Sequence, residues 1–327
     1  MTWGDVELAL GRVFASLPED SSGGKPVYRG KVRDVIRGED ALLLVASDRI
    51  SAFDRVLSTV PFKGEVLTRV SAWWFERCAD IVPNHVLPGG DPASLGLGRA
   101  MLCRKVEMLP VEVVVRGFLS GSAWRDYSAG RPVSGLSLPP GLSLNERFPV
   151  PILTPSTKEE DGHDKPVSGA EIVASGLVRE ELWREVEKAA LALFKRGQEL
   201  AAQAGLILVD TKYEFGVADG RLILADELHS PDSSRYWVSE SYERLFFSGD
   251  SQRELDKEPF RRWLAARGYT GEGAAPEIPD SVRVETAWRY VQAFEAITGE
   301  TFESLGSDPQ SESDIIARIV SERLGRA

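Results

Sequence analysis

Two short stretches of the chain place charged side chains inside patterns otherwise written for burial. They are Val209-Asp210-Thr211-Lys212-Tyr213-Glu214-Phe215-Gly216 and Leu224-Ala225-Asp226-Glu227-Leu228. A charge taken out of water needs a counter-charge or a metal, so such residues mark either a buried ion cluster or a site. Ala218, Asp219 and Gly220 between them predict a hairpin. A three-residue loop, with the glycine left-handed, pairs Lys212 with Asp226 and puts Glu214 on the same face. Two converging carboxylates suit Mg²⁺ carrying a nucleotide, because that ion fills its remaining positions with phosphate and water. A plain Lys–Glu–Asp cluster fits the same residues equally well.

Other stretches carry weaker signals. Tyr28-Arg29-Gly30-Lys31-Val32-Arg33-Asp34 sets a glycine beside cations, so that backbone approaches a phosphate while Lys31 supplies a point charge. It lacks the glycine spacing of a Walker or dinucleotide loop, and edge strands also carry Lys for solubility. Arg116-Gly117-Phe118-Leu119-Ser120-Gly121-Ser122 precedes a short helical pattern, which Ser122 is placed to cap with its amides facing an anion. Ser230-Pro231-Asp232-Ser233-Ser234-Arg235 reads as an Asx- or Ser-type turn before a strand or helix, and its arginine is the residue of interest. Residues 154–165 form a polar loop. His85, His163 and His229 lie far apart without matching cysteines, so no zinc site is expected.

The elements that must hold these residues follow from hydrophobic spacing. An opening helix is predicted over residues 4–17. Strands over 27–37 and 41–47 are joined at Gly38-Glu39-Asp40, with Gly30 inside the first. A helix is expected over 66–78, strands broken at Pro110 over 101–116, and a Pro- and Ser-rich loop over 131–155. Val178, Leu182, Val186, Ala190, Leu193, Phe194 and Leu200 keep helical spacing over 178–204. The tail after Ser251 is mainly helical. This order of hairpins and helices predicts an α+β protein with a domain seam near Val111, dividing residues 1–110 from 111–327.

Composition narrows the class. A chain of 327 residues with 43% hydrophobic content can bury a core of about two domains. The formal net charge of −11, with basic residues interleaved among acids, argues against a nucleic-acid partner and for small anionic ligands. No signal peptide or membrane span is read, and the two cysteines, Cys78 and Cys103, sit in apolar surroundings. A reducing, cytoplasmic location is expected.

Taken in order, several motifs resemble the SAICAR synthetase family. They are Gly30-Lys31-Val32-Arg33-Asp34, Ser47-Asp48-Arg49-Ile50-Ser51-Ala52-Phe53-Asp54, Lys63-Gly64, Arg116 to Ser122, Ser156-Thr157-Lys158, Asp210 to Gly216, and Asp226-Glu227 with Arg235. The long C-terminal extension is similar to that of the larger, yeast-type members. The resemblance implies two α+β lobes, the first kinase-like and covering ATP, the second ATP-grasp-like with a helical C-terminal extension. It implies a carbon–nitrogen ligase of de novo purine (IMP) biosynthesis. Such an enzyme joins L-aspartate to the carboxylate of CAIR, giving SAICAR, ADP and phosphate, through an acyl phosphate.

Residue by residue, the resemblance implies ATP contacts from Gly30, Lys31, Arg33, Lys105, Glu107 and Met108, and Mg²⁺ held by Glu214 and Asp226. Arg116, Ser122 and Arg235 would hold the ribonucleotide phosphate, with Lys212 and Asp232 near the imidazole. Lys212, Lys31 and Asp232 are the implied catalytic residues, and a loop bearing Lys158, His163 and Asp164 would close over aspartate. Oligomeric state stays open, the extension favouring a monomer. Two other readings compete. Asp210-Thr211-Lys212 with Gly216 matches an inositol-phosphate-type kinase superficially, and eight tryptophans would allow a non-catalytic binding module.

Overall fold

The computed structural model describes residues 1–159, 164–306 and 308–325. Helix α1 (Trp3–Leu8) is capped by Thr2 and is shorter than expected, giving way to one 3₁₀ turn over residues 9–12. The chain then runs extended because buried carboxylates capture its amides. Phe14 N donates to Asp48 Oδ2 and Leu17 N to Asp34 Oδ2, each at 2.8 Å. These bonds replace the helical ones.

Strands β1 (Val27–Arg29) and β2 (Arg33–Arg37) are separate and antiparallel, with Gly30 to Val32 in the turn between them. Gly30 is thus a turn residue, not a mid-strand one. β3 (Ala41–Ala46) follows the expected turn at residues 38–40, and the small hairpin β4 (Arg49–Ala52) and β5 (Arg55–Thr59) leads into α2 (Lys63–Arg77). α2 starts where only glycine fits, since a Cβ on Gly64 would lie 2.4 Å from the Ala46 carbonyl oxygen. After α3 (Pro92–Leu95), β6 (Ala100–Arg104) completes an antiparallel sheet in the order β1-β2-β3-β6. The alternation of β3 gives this sheet two uses. Leu43 and Val45 face a buried core, while Leu42 and Leu44 face a cavity.

β7 (Glu107–Phe118) begins the second sheet, so the break falls at Lys105-Val106 and not at Pro110. Pro110 remains inside the strand because its pairing with the later strand slips there: Glu214 opposes Glu112, but Gly216 opposes Met108. A bulge is where a strand tolerates a residue without an N–H. A division at 110/111 would cut this strand. α4 (Gly121–Ser128) follows directly. Residues 131–155 are not loop throughout, because β8 (Arg147–Leu153) pairs with β7 despite its prolines; just beyond it β9 (Ser156–Thr157) pairs with Val111 and Glu112 in the middle of β7.

α5 (Gly169–Ala174) precedes α6 (Glu180–Gln203), the long amphipathic helix expected from spacing, whose Trp183, Val186, Ala190, Leu193 and Phe194 enter the main core. β10 (Leu206–Ala218), β11 (Arg221–Ala225) and β12 (Ser234–Val238) then build the six-stranded sheet, in which β10 pairs with β7, β11 and β12. The tail, α7 (Ser239–Ser248), α8 (Glu258–Ala265), α9 (Asp280–Thr298) and α10 (Pro309–Arg323), is helical as expected. It does not extend the second lobe alone. Ile316, Ile319 and Val320 of α10 pack on Ile36, Leu43, Val45 and Leu102 of the first sheet. No helix among the described residues is long and apolar enough to cross a membrane.

One buried ion triad fastens α10 to that lobe. Arg99 donates to Asp48 Oδ1 at 3.1 Å and to Glu312 Oε2 at 2.9 Å, and all three side chains are at most 5% exposed. Arg99→Met should therefore cost about 3–5 kcal/mol, because it leaves two buried carboxylates facing each other unpaired. Denaturant unfolding followed by tryptophan fluorescence measures this, and a loss of only a few tenths of a kcal/mol, the value of a solvated pair, would show that the triad is not the fastening.

Candidate active site

β10 carries the charged stripe. Thr211, Tyr213 and Phe215 are buried on its core side, while Asp210, Lys212 and Glu214 alternate onto the other face, opposite Arg116, Val114 and Glu112 of β7. The hairpin that follows differs from expectation by one residue. Ala218 pairs with Arg221, leaving a two-residue turn in which Asp219 (φ 53°) and Gly220 (φ 70°) are both left-handed. Such turns match the twist of the strands they join. Glu214 consequently opposes Ala225, and Lys212 is not paired with Asp226. The two carboxylates nevertheless line one cavity, because Asp226 leaves the strand at φ 66°.

Each of these charges is matched. The Lys212 ammonium donates at 2.7 Å to both Glu112 and Glu214, and Lys158 forms a second ion pair with Glu214. Burial alone would raise both carboxyls. It does so for Glu112, whereas Lys212 and Lys158 together hold Glu214 below the usual carboxylate range. Two carboxylates opposed across the strands are thereby driven apart in proton affinity. Asp226 is ion-paired with Arg33, whose other Nη lies 3.1 Å from Glu227. Burial still raises the Asp226 carboxyl to about 6.

A polar cavity of about 410 Å³ lies on one side of this stripe, lined among others by Lys31, Arg116, Ser122, Lys212, Asp232 and Arg235. Arg116 donates to Asp210 (3.1 Å), Thr154 (2.8 Å) and Ser122 (3.0 Å), and Arg235 donates to Asp210 at 2.6 Å. Burial and the neighbouring Arg235 lower the affinity of Arg116 for its proton, against the pull of Asp210. Two guanidiniums gathered round Asp210, with Glu258 3.4 Å from Arg235, form a cradle for an anion. Ser122 is not the helix cap; Ser120 occupies that position, and Ser122 serves as acceptor for Arg116. Gly121 between them sits at φ 58°, and a Cβ there would lie 2.3 Å from Arg235 Nη2.

A more apolar cavity of about 520 Å³ lies on the other side. Tyr28, Val35, Leu42, Leu44, Val106 and Met108 line it, with Lys105, Lys158, Glu214 and Asp226 at its polar parts. An apolar slot ending in charges suits a purine base with attached phosphates. Of the expected ATP contacts, Lys105 and Met108 line this cavity. Glu107 is exposed and does not, and Arg33 is engaged by Asp226 and Glu227. Gly30 closes the first turn through its N–H to Arg33 O at 2.8 Å, and Lys31 lines the polar cavity instead, 2.5 Å from Asp54. The two cavities adjoin along Lys212 and Glu214.

Of the aspartate-loop residues, Lys158 joins Glu214, Asp164 lines the polar cavity, and His163 lies outside the described residues. Glu214 and Asp226 offer only oxygens, the donors Mg²⁺ takes, so they fit that ion as a partial shell. No group of three or more His, Cys, Asp or Glu converges among the described residues, and phosphate and water would supply the rest. His85 and His229 are buried, and burial drops both to about 3, which suits neutral core side chains.

Sequence reasoning left several residues of the site without a role. Glu112 sits among valines of β7, a signal of the same kind as the charges in β10. Lys63 is wholly buried at the start of α2, and Lys257 reaches the cavity from the tail; both lie at Asp232, where Tyr290 of α9 also donates. Nothing in local spacing marks Lys257 or Tyr290.

Residues 26–277 match the family model described as SAICAR synthetase. A phosphoribosylaminoimidazole-succinocarboxamide synthase of Bacteroides fragilis is 49% identical over 288 residues, which cover 86% of this chain and 89% of the relative. One from Legionella pneumophila is 44% identical over 306 residues, covering 91% and 95%. Among solved structures, the SAICAR synthase from Saccharomyces cerevisiae complexed with SAICAR superposes with a TM-score of 0.76 at 36% identity, covering 89% of this chain and 99% of that one. A type-2 SAICAR synthetase in complex with ADP gives 0.64 at 27% identity, covering 85% and 100%.

The cradle makes a prediction of its own. Gly121→Ala should push the Arg235 guanidinium from its place and weaken binding of a phosphate monoester about tenfold or more, the worth of a charge-assisted hydrogen bond. Calorimetric titration with ribose 5-phosphate reads this; unchanged affinity would remove Gly121 and Arg235 from the anion site.

Proposed function

The chain belongs to the SAICAR synthetase family, and on that premise we propose that it joins L-aspartate to CAIR, with cleavage of ATP to ADP and phosphate, in purine biosynthesis. What supports the assignment of sites is the meeting of two unlike cavities at Lys212 and Glu214, one apolar with a charged end, the other lined by guanidiniums. ATP occupies the first, with its base against Leu42, Leu44 and Met108. CAIR occupies the second, its phosphate on Arg116, Ser122 and Arg235 and its imidazole carboxylate toward Lys212 and Asp232.

A carboxylate does not expel oxide at neutral pH, so it must first be activated. The γ-phosphoryl group passes from ATP to an oxygen of the CAIR carboxylate, releasing ADP. The aspartate amine then attacks the acyl carbon; the amide bond forms as phosphate leaves with that oxygen and the nitrogen gives up a proton. Such chemistry depends on positioning and on charge stabilisation more than on covalent help from the protein. Lys212, fixed between Glu112 and Glu214, is held where negative charge crosses from one cavity to the other. Lys31 approaches from the first lobe and lines the same cavity. Mg²⁺ on Glu214 and Asp226 would neutralise phosphate charge. Lys158 and Asp164 would contact the aspartate.

ADP release with Mg·ATP and CAIR, with and without L-aspartate, tests the activity when product mass is followed alongside. Aspartate-dependent release with matching SAICAR is expected. Release that ignores aspartate would instead point to transfer onto a hydroxyl. Within this scheme, Glu214→Gln should cut turnover by about 100-fold, the size of effect seen on removing one preorganised electrostatic group, with a lowered thermal transition but a chain that still folds, because Lys212 keeps Glu112 as its partner. Retained turnover with the same Mg²⁺ dependence would take Glu214 out of the nucleotide site.

A further inference from the structure

The Asp232 carboxylate is held by residues distant in sequence. Lys257 Nζ donates to its Oδ2 at 3.0 Å and the Tyr290 hydroxyl to its Oδ1 at 2.7 Å, while the Lys63 ammonium lies 3.3 Å from Oδ2 without hydrogen-bond geometry. Two ammoniums therefore share one buried carboxylate. Lys63 is 0% exposed and Lys257 9% in their side chains, so neither excess charge is met by bulk water. Buried charge in excess calls for a further anion.

Lys257 is placed to receive it. An ammonium has three donors, and Asp232 accepts one of them. Lys257 lines the polar cavity together with Arg116, Ser122 and Arg235, whereas Lys63 lies behind Asp232 and does not. Burial and the ammonium of Lys63 lower Lys257 to about 8 against the pull of Asp232, as expected of a cation still short of counter-charge. Among the described residues the Tyr290 hydroxyl donates to Asp232, so it acts through that carboxylate.

We propose that Lys257, carried by the C-terminal segment, is a substrate-binding residue for an anionic group of the ribonucleotide, and that Tyr290 is a positioning residue that orients it through Asp232. This rests on the assignment of the polar cavity to CAIR. The segment after β12 thus supplies part of the site as well as covering it.

Lys257→Met leaves Asp232 with Lys63 and Tyr290, so the fold should survive, with a thermal transition close to that of the parent chain. The KM for CAIR should rise about tenfold or more, with KM for ATP and for aspartate within about twofold, and Lys257→Arg should recover much of the loss. Tyr290→Phe should raise the same KM about threefold and leave the others alone. An increase confined to ATP or aspartate, or equal losses in kcat for all three substrates without a change in KM for CAIR, would overturn the proposal. Calorimetry with CAIR alone separates the two levels. If the parent protein binds CAIR but does not turn over, the ligase reading fails while the comparison of parent with Lys257→Met still decides the role of Lys257.

Discussion

The whole arrangement depends on one strand that is buried on both faces and charged on one of them. β10 presents Thr211, Tyr213 and Phe215 to the core and Asp210, Lys212 and Glu214 to the cleft, where Asp210 and Glu214 are less than 8% exposed. Charges so far from water are tolerated only with partners at close range. The neighbouring elements supply them: Arg116 and Glu112 from β7, Arg235 from β12, Lys158 from beyond β9. The same pairing that makes the strand foldable leaves cations and carboxylates preorganised along the line where the two cavities meet. Charges already desolvated and held need no reorganisation when a phosphoryl group arrives, which is the condition for strong electrostatic stabilisation.

That constraint also decides what was legible. Asp210, Lys212 and Glu214 stood out because a charge in a burial pattern is rare, and α6 stood out because its apolar spacing persists for several turns. The register of the hairpin did not, since Ala218, Asp219 and Gly220 allow a two- or a three-residue turn and only backbone dihedrals distinguish them. Asp219 at φ 53° selects the shorter turn, and Asp226 at φ 66° then restores the convergence of carboxylates that the shorter turn would have lost. Asp tolerates that conformation better than most side chains. The opening helix failed for a tertiary reason: its last amides are claimed by Asp48 and Asp34, which no local propensity can anticipate. β8 was hidden by prolines that composition assigns to loops.

The partners of Asp232 were illegible for a different reason. Lys63, Lys257 and Tyr290 come from the start of α2, the residue before α8 and the middle of α9, and none belongs to a motif with Asp232. Only the folding of the tail back across the first lobe joins them. α9 packs against α2 and α1, and α10 closes the first sheet through Ile316 and Arg99.

This route of the tail bears on how the cleft is held. Lys63 belongs to the first lobe, Asp232 to the turn before β12 of the second, and Lys257 and Tyr290 to the tail, so this carboxylate ties the first lobe and the tail to the second lobe. Arg33 of β2 does the same from the other side, reaching Asp226 and Glu227 at the end of β11. The lobes are therefore joined at two buried ionic points that flank the charged stripe of β10, besides the apolar core beneath it. Ionic contacts hold geometry without filling space, and they leave the cavities on either side open. A purely apolar seam would stabilise the pair of lobes as well or better, but it would leave no charge in the cleft for an anionic ligand to meet.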